Sequence, residues 1–328
     1  MNHRELGGVG AVSEVGYGAW EIGSDWGEVT EAEAVAAVEA AREAGIDFFD
    51  TADVYGDGRS ERILGETLAD EIAAGDVTVA TKAGRRLNPH EPDGYTEANL
   101  RRFVDRSREN LGVETLDLVQ LHCPPTDVYY RPEAFDALAT LESEGRIDAY
   151  GVSVERVEEG LKAMEFPGVE SVQIIFNPFR QRPAELFLDE AAARGVGVVC
   201  RVPLASGLLT GALSRDDEFP EDDHRNYNRD GDAFDVGETF AGVPFEAGLD
   251  AVDALDDRLP DDRPLPEFAL RWILDHDAVS TVIPGSTTPS HVRANAAASE
   301  AAPLDAAERE VAADVYDEHV RAHVHQRW

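Results

Sequence analysis

FDTADVYGDGRSERILGE, residues 49–66, decides the fold. A short apolar run, 46–49, reads as a strand and ends in Asp50. Tyr55 follows five residues later, and a Gly/Asp turn at 56–58 leads to Ser60 and Glu61, read as a helix start with an acid in its first turn. An ionisable pair therefore sits just past the C-terminal end of a strand, on a strand-to-helix loop. In an α/β barrel that is where the chemistry is placed.

The same unit recurs on both sides of this stretch. Upstream, Thr30 and Glu33 form a capping box for a helix that Gly45 closes. The segment before it, 4–20, reads as extended pieces around a Gly-rich turn, a hairpin followed by a first strand. Downstream, strands are predicted at 77–81, 116–121, 148–152, 172–176, 196–200 and 279–283. Helices between them are predicted at 60–73, 96–111, 132–145, 155–164, 184–194 and 264–275. Further helices are predicted at 289–298 and about 304–323. About eight strand–helix units without a linker imply a parallel sheet closed on itself: an α/β protein, a (β/α)8 TIM barrel, as one domain over 1–328 with an N-terminal hairpin and a C-terminal extra helix. A doubly wound sheet would want a Gly-rich dinucleotide fingerprint after an early strand, and none is present. The segment 203–244 breaks the rhythm. It reads as either a lid or a solvated acidic insertion, and its charge run EFPEDDHRNYNRDGD (218–232) favours the insertion for the middle part.

Composition limits the partners. A chain of 328 residues with 66 acids, 29 bases and a net charge of −37 repels nucleic acid and anionic membranes. Its only lysines are Lys82 and Lys162. A dispersed acidic surface with so few lysines resembles that of proteins adapted to molar salt, where screening removes self-repulsion. No apolar run reaches the roughly 18 residues of a membrane span, and the N-terminus lacks the apolar core of a signal peptide. Cys123 and Cys200 lie in apolar runs and read as buried free thiols. A cytoplasmic monomer is expected. His319, His323 and His325 have partly helical spacing without accompanying ligands, so no metal site is expected.

Polar residues recur at one kind of position. Asp50 and Tyr55, Lys82, His122, Ser153, Gln173 and Arg201 all fall at or just past strand C-termini, which converge on one rim in a barrel. With VATKAG (79–84), DLVQLH (117–122), GVS (151–153), VQIIFNPF (172–179), PLASGLLTG (203–211) and VIPGSTTPSHVRANAAA (282–298), the opening stretch resembles the landmarks of the aldo-keto reductase superfamily in order and over nearly the whole chain. The resemblance implies NAD(P)H-dependent reduction of aldehydes and ketones, with NADPH the expected cofactor and NADH the alternative. It makes Asp50, Tyr55, Lys82 and His122 the catalytic tetrad: Tyr55 the proton donor, Lys82 lowering its pKa, Asp50 holding Lys82, His122 orienting the carbonyl.

The resemblance also implies that Ser153 and Gln173 bind the carboxamide, although the Asn that often follows the serine is Val154 here. Arg201 stands where a ring usually stacks on the nicotinamide. Leu204, Ser206, Gly207 and Leu208 match the pyrophosphate segment. Gly285, Ser286, Thr287, His291 and Asn295 match the adenosine end, where NADPH-selective relatives often carry Lys and Arg in place of Gly285 and His291. Trp20, Trp26 and Tyr129 or Tyr130 are the expected substrate contacts. Two other functions stay open on this reading: the reverse reaction, as an NAD-dependent aldose or alcohol dehydrogenase, and a slow-turnover redox-sensing module resembling channel β-subunits.

Overall fold

Strands β1 (His3–Glu5) and β2 (Ala11–Ser13) pair antiparallel, His3 opposite Ser13, as the N-terminal hairpin. The barrel strands follow: β3 (Tyr17–Gly18), β4 (Phe48–Asp50), β5 (Thr78–Ala83), β6 (Leu116–His122), β7 (Ile147–Ser153), β8 (Val169–Ile175), β9 (Gly197–Arg201) and β10 (Thr281–Val282). All are parallel and each pairs with its sequence neighbour. Between β10 and the start of β3 the ring is closed by a parallel bridge of Val15 to Val282, Gly16 N–H donating to Val282 O at 2.8 Å and Val282 N–H to Glu14 O at 3.0 Å. The computed structural model describes residues 1–23, 29–260 and 262–328; Trp26 lies outside them.

Alternation of side chains along each strand fixes what faces inward. Phe48, Ala80, Leu118, Ala149, Val199 and Ile283 pack together with Leu6 and Val12 of the hairpin, which plugs one end of the barrel. Two residues further along the same strands, the inward positions turn polar at Asp50, Lys82, Gln120 and Arg201, with Gly151 leaving room on β7. The apolar plug and the polar rim are thus the two ends of one period-2 pattern. The outer faces pack under the helices in a second, larger apolar cluster.

The helix Glu31–Glu43 begins with the capping box read from the sequence: Glu33 N–H donates to Thr30 Oγ1 at 3.3 Å and Thr30 N–H to Glu33 Oε2 at 2.9 Å. Elsewhere the boundaries move. The helix after the 49–66 stretch starts at Arg59, capped by Gly58 at φ +81°, a left-handed turn that disfavours a side chain. Ser60 serves another purpose: it receives Thr51 Oγ1 at 2.7 Å and donates to Ala19 O at 2.8 Å, pinning the Tyr55 loop to β3 and β4. The predicted helix 60–73 breaks at Leu68 into Arg59–Thr67 and Ala69–Ala74. The final helix is also in pieces, with a π turn at Tyr316–Val320 between Ala306–Val315 and Arg321–Val324.

Segment 203–244 is the larger surprise. It holds Asp223, His224, Asn228 and Glu238 buried and brings Arg225 and Glu238 to the wall of the cavity. The solvated insertion expected for its middle part holds for residues around 214–222 and 229–233, which are mostly exposed, but not for the buried Asp223, His224 and Asn228 between them. Asn228 is the reason the chain turns inward: its side chain accepts from the N–H groups of Ala233 and Phe234 and donates to Thr239 Oγ1 at 3.0 Å.

Candidate active site

At the polar rim, Lys82 is 1 % exposed, and the hydrogen-bond partners of its ammonium are oxygens. Its Nζ donates to Asp50 Oδ2 at 2.6 Å and Thr51 O at 2.8 Å, and lies 3.3 Å from the Tyr55 hydroxyl. Burial alone would depress the ammonium, but Asp50, and then Tyr55, raise its pKa above the usual lysine value. Tyr55 goes the other way from the expected direction. Burial raises its pKa and outweighs the lowering by Lys82, so the side chain is a protonated phenol at neutral pH. A proton donor needs that state.

His122 faces Tyr55 edge-on, ring centroids 5.9 Å apart at 87°. Burial, then the Arg85, Lys82 and Arg201 charges, hold its pKa well below the usual histidine range, so the ring is neutral. Trp20 covers the other side of Tyr55, its ring stacked at 6.0 Å and 21°. Asp50 is fixed in turn by Gln173 Nε2 at 2.7 Å, while Gln173 Oε1 accepts from Ser153 Oγ at 3.2 Å. The Ser153–Gln173 pair and the Asp50–Lys82 pair thus form one connected network, with Gln120 Nε2 at 3.4 Å from Asp50.

These groups open on a cavity of about 640 Å³. From Tyr55 and His122 it passes Ser153, Gln173 and Arg201, then Leu204, Ser206 and Gly207, and ends at Gly285, Ser286, Thr287, His291 and Asn295. Its volume suits a small-molecule ligand. Along its middle wall Ala205, Ser206 and Gly207 all have left-handed φ, at 49°, 53° and 99°. Strain of this kind on non-glycine residues persists where the surroundings enforce it, and clusters at ligand-holding segments. At the far end His291 and Asn295 lie one turn apart on the helix Pro289–Ala297. The shape, the polar far end and the close backbone approach at Ser206–Gly207 fit an extended dinucleotide.

Not every expected residue reaches the cavity. Tyr129 is fully buried in the apolar core, and Tyr130 is 66 % exposed on the outside. Neither lines the cavity, and both are set aside as substrate contacts. Leu208 is also buried, packed over Gly248, while its neighbours Ser206 and Gly207 line the wall. Arg201 is there, but its guanidinium is engaged: Nη2 donates to Glu155 Oε2 at 3.0 Å and Val154 O at 3.1 Å, and Nη1 lies 3.4 Å from Glu238 Oε2.

The structure adds residues that sequence reasoning missed. Glu155 and Glu238 lie close together between Arg85 and Arg201, and burial and then the Glu238 charge raise the Glu155 pKa. Cys123, Glu155 and Glu238 bring possible ligand atoms within 4.8 Å of one another, but Arg85 and Arg201 among them oppose a cation. Glu21 lines the cavity beside Gly285, its pKa raised by burial to about 7. From segment 203–244 come His224 and Phe234, with rings 4.7 Å and 6.0 Å from that of Trp20.

Asp53, on the same loop as Tyr55, is wholly buried, and among the described residues neither of its carboxylate oxygens has a hydrogen-bond partner. Burial, then Glu61, lift its pKa to about 7. Between the ordinary 3.8 and about 7 the folded chain keeps a proton that the unfolded chain has lost. Stability therefore falls as pH rises through that window, and the penalty is complete above it. Asp53→Asn is expected to stabilise the fold by on the order of 1–4 kcal/mol at pH 8, shrinking towards zero near pH 4. Urea unfolding at the two pH values checks this; an equal effect at both would contradict it.

Comparison with known proteins agrees with the geometry. The family model described as "Aldo/keto reductase family" matches residues 14–316. The holo form of the aldo-keto reductase AKR11C1 from Bacillus halodurans superposes with a TM-score of 0.77 at 29 % identity, covering 97 % of this chain and 99 % of that one. D-threo-aldose 1-dehydrogenase from a Pseudomonas species is 28 % identical over 320 residues, 87 % of this chain and 89 % of its own. A probable voltage-gated potassium channel subunit beta from rice (Oryza sativa subsp. japonica) is 27 % identical over 318 residues, 93 % of each. With this match over nearly its whole length, and a buried Asp–Lys–Tyr cluster at the rim of an eight-stranded barrel, the chain belongs to the aldo/keto reductase family, NAD(P)-dependent oxidoreductases that reduce carbonyl compounds.

Proposed function

We propose that this chain reduces aldehydes and ketones to alcohols with Tyr55 as the proton donor and Asp50, Lys82 and His122 completing the site. The observation that carries the assignment is the Tyr55 hydroxyl 3.3 Å from a buried ammonium that Asp50 holds at 2.6 Å. When bound, the nicotinamide supplies the hydride. As negative charge develops on the carbonyl oxygen, Tyr55 gives up its proton and Lys82 stabilises the phenolate that remains. Asp50 keeps the ammonium in place. The neutral His122 bounds the substrate side, and Trp20, stacked on Tyr55, forms an apolar wall for it.

Ser153 and Gln173 are proposed to hold the carboxamide, and Arg201, Leu204, Ser206 and Gly207 the middle of the cofactor. Gly285, Ser286, Thr287, His291 and Asn295 would take the adenosine end. NADPH is the first choice. NADH is kept as a second reading because Gly285 and His291 stand where NADPH-selective relatives often carry Lys and Arg, so the described residues there offer a 2′-phosphate no such cation. Steady-state KM values for the two cofactors decide this: a lower value for NADPH supports the first reading, a lower value for NADH the second.

The same site run in reverse oxidises an alcohol, as the name of the Pseudomonas relative describes for that protein. A slow-turnover binding module like the channel subunit is disfavoured by the assembled tetrad. No described helix is long and apolar enough to cross a membrane. A cytoplasmic monomer is the proposed state, checked by light scattering. The acidic surface is proposed as an adaptation to molar salt. The protein is expected to melt higher in molar KCl than in dilute buffer, and equal melting curves would remove that reading.

A further inference from the structure

Trp328 is buried behind the wall of the cavity, against the last part of segment 203–244. Its indole Nε1 donates to Asp235 Oδ1 at 2.9 Å. The same oxygen accepts from Gly237 N–H at 2.7 Å, so one carboxylate ties the indole to the turn Val236–Glu238. The ring lies on that turn and on the next, Phe240–Gly242: a Cβ at Gly237 would sit 2.9 Å from Trp328 Cε2, and one at Gly242 2.5 Å from Cη2. Glycine at both positions is what lets the ring and the backbone approach so closely. Arg180 Cζ stands 3.9 Å from the ring centroid. Arg180 is itself buried, and among the described residues neither of its Nη atoms has a hydrogen-bond partner. Such a group is costly to bury. The contact with the Trp328 ring and the nearby Glu155 and Asp235 charges offset that cost. Arg182 donates to Trp328 O. Trp328 thus joins the loop after β8 to the end of segment 203–244.

The turns it holds reach the cavity. Ser206 Oγ accepts from Phe240 N–H at 3.0 Å and donates to Glu238 O at 3.3 Å. Ser206 and Glu238 both line the cavity, whereas Trp328 does not. Phe240 and Ala241 have left-handed φ of 52° and 57°, like Ser206 at 53°. Non-glycine backbone of this kind persists only where its surroundings over-determine it. Trp328, residues 235–242 and Ser206 form a contiguous chain of contacts that ends in the strained wall.

We propose that Trp328 is a positioning residue for the cofactor: by clamping residues 235–242 against Arg180, it holds Ser206 and Gly207 in the conformation that receives the middle of the dinucleotide. The inference rests on the reading above that gives this stretch of wall to the cofactor. The coupling is reciprocal, so bound cofactor must in turn tighten the clamp.

The test uses the full-length protein with NADPH, and with NADH in parallel. In the wild type, which needs no variant to fold, hydrogen exchange at residues 235–242 and at 322–328 should slow together when cofactor is added. Trp328→Ala, measured where circular dichroism shows it folded, is expected to raise the dissociation rate and Kd of NADPH by about tenfold. Trp328→Phe keeps a ring but loses the N–H bond to Asp235, so its Kd should fall between the two. Phe135→Ala separates positioning from bulk stability. Its ring stacks on Phe166 at 3.8 Å, away from the cavity, so this variant should lower Tm and leave the Kd at the wild-type value. Unchanged exchange at 322–328 on cofactor binding, a folded Trp328→Ala with the wild-type Kd, or an equal loss of affinity in Phe135→Ala would overturn the assignment. A folded wild type that binds neither cofactor would instead bring down the cofactor reading, and this inference with it.

Discussion

Tyr55→Phe lowers kcat for carbonyl reduction by about 10²–10⁴-fold, the range for losing a general acid, and leaves cofactor affinity within about twofold. The substitution removes one oxygen and keeps the ring that Trp20 stacks on at 6.0 Å and that His122 meets edge-on. The hydroxyl lies 3.3 Å from Lys82 Nζ, and Lys82 keeps Asp50 and Thr51 O without it. The pocket is therefore expected to stand while the proton source is gone. Steady-state kinetics with a parallel fluorescence titration of NADPH check the two halves separately. A variant that keeps more than a tenth of the wild-type kcat would take the proton-donor role from Tyr55.

Lys82→Met is expected to cost both activity and stability. It leaves the Asp50 carboxylate buried without its cation, a loss of roughly 3–5 kcal/mol for one broken partner of such a pair. Gln173 Nε2 at 2.7 Å remains as a donor to Asp50, which places the expected loss at the lower end. The double variant Asp50→Asn/Lys82→Met removes the orphaned charge and should recover most of the stability. It should recover none of the activity, since the phenolate of Tyr55 would still lack its counter-charge. Denaturant unfolding of the single and double variants measures this. Additive losses would show that the pair is not coupled.

The barrel was legible because its signal is local. Each strand carries its own alternation and each helix its caps, as at Thr30–Glu33, and eight repeats leave one closed arrangement. The rim was legible for the same reason: Asp50, Lys82, His122, Ser153 and Arg201 each end a strand or follow its last turn, and period 2 decides which way they face. Arg85 and Glu155 escaped notice although each lies within three residues of a residue singled out, because an arginine or a glutamate on a loop has no local mark that separates a buried partner from a solvated one. Arg85's partner is Glu238, 153 residues further along the chain. The inward turn at Asn228 escaped for a related reason. Its acidic surroundings read as a hydrated run, and what holds it is a set of side-chain to backbone hydrogen bonds that composition does not encode. The lowering of the Tyr55 pKa by Lys82 is inferable from spacing and is present, while the burial that outweighs it cannot be read from the sequence.

The most direct test is nicotinamide fluorescence of the purified protein, with NADPH and NADH titrated separately in molar KCl, followed by a panel of short aldehydes. The account predicts saturable binding of at least one cofactor and its oxidation only after an aldehyde is added. A folded protein that binds neither cofactor would contradict the account at its centre and leave the barrel without the site described on its rim.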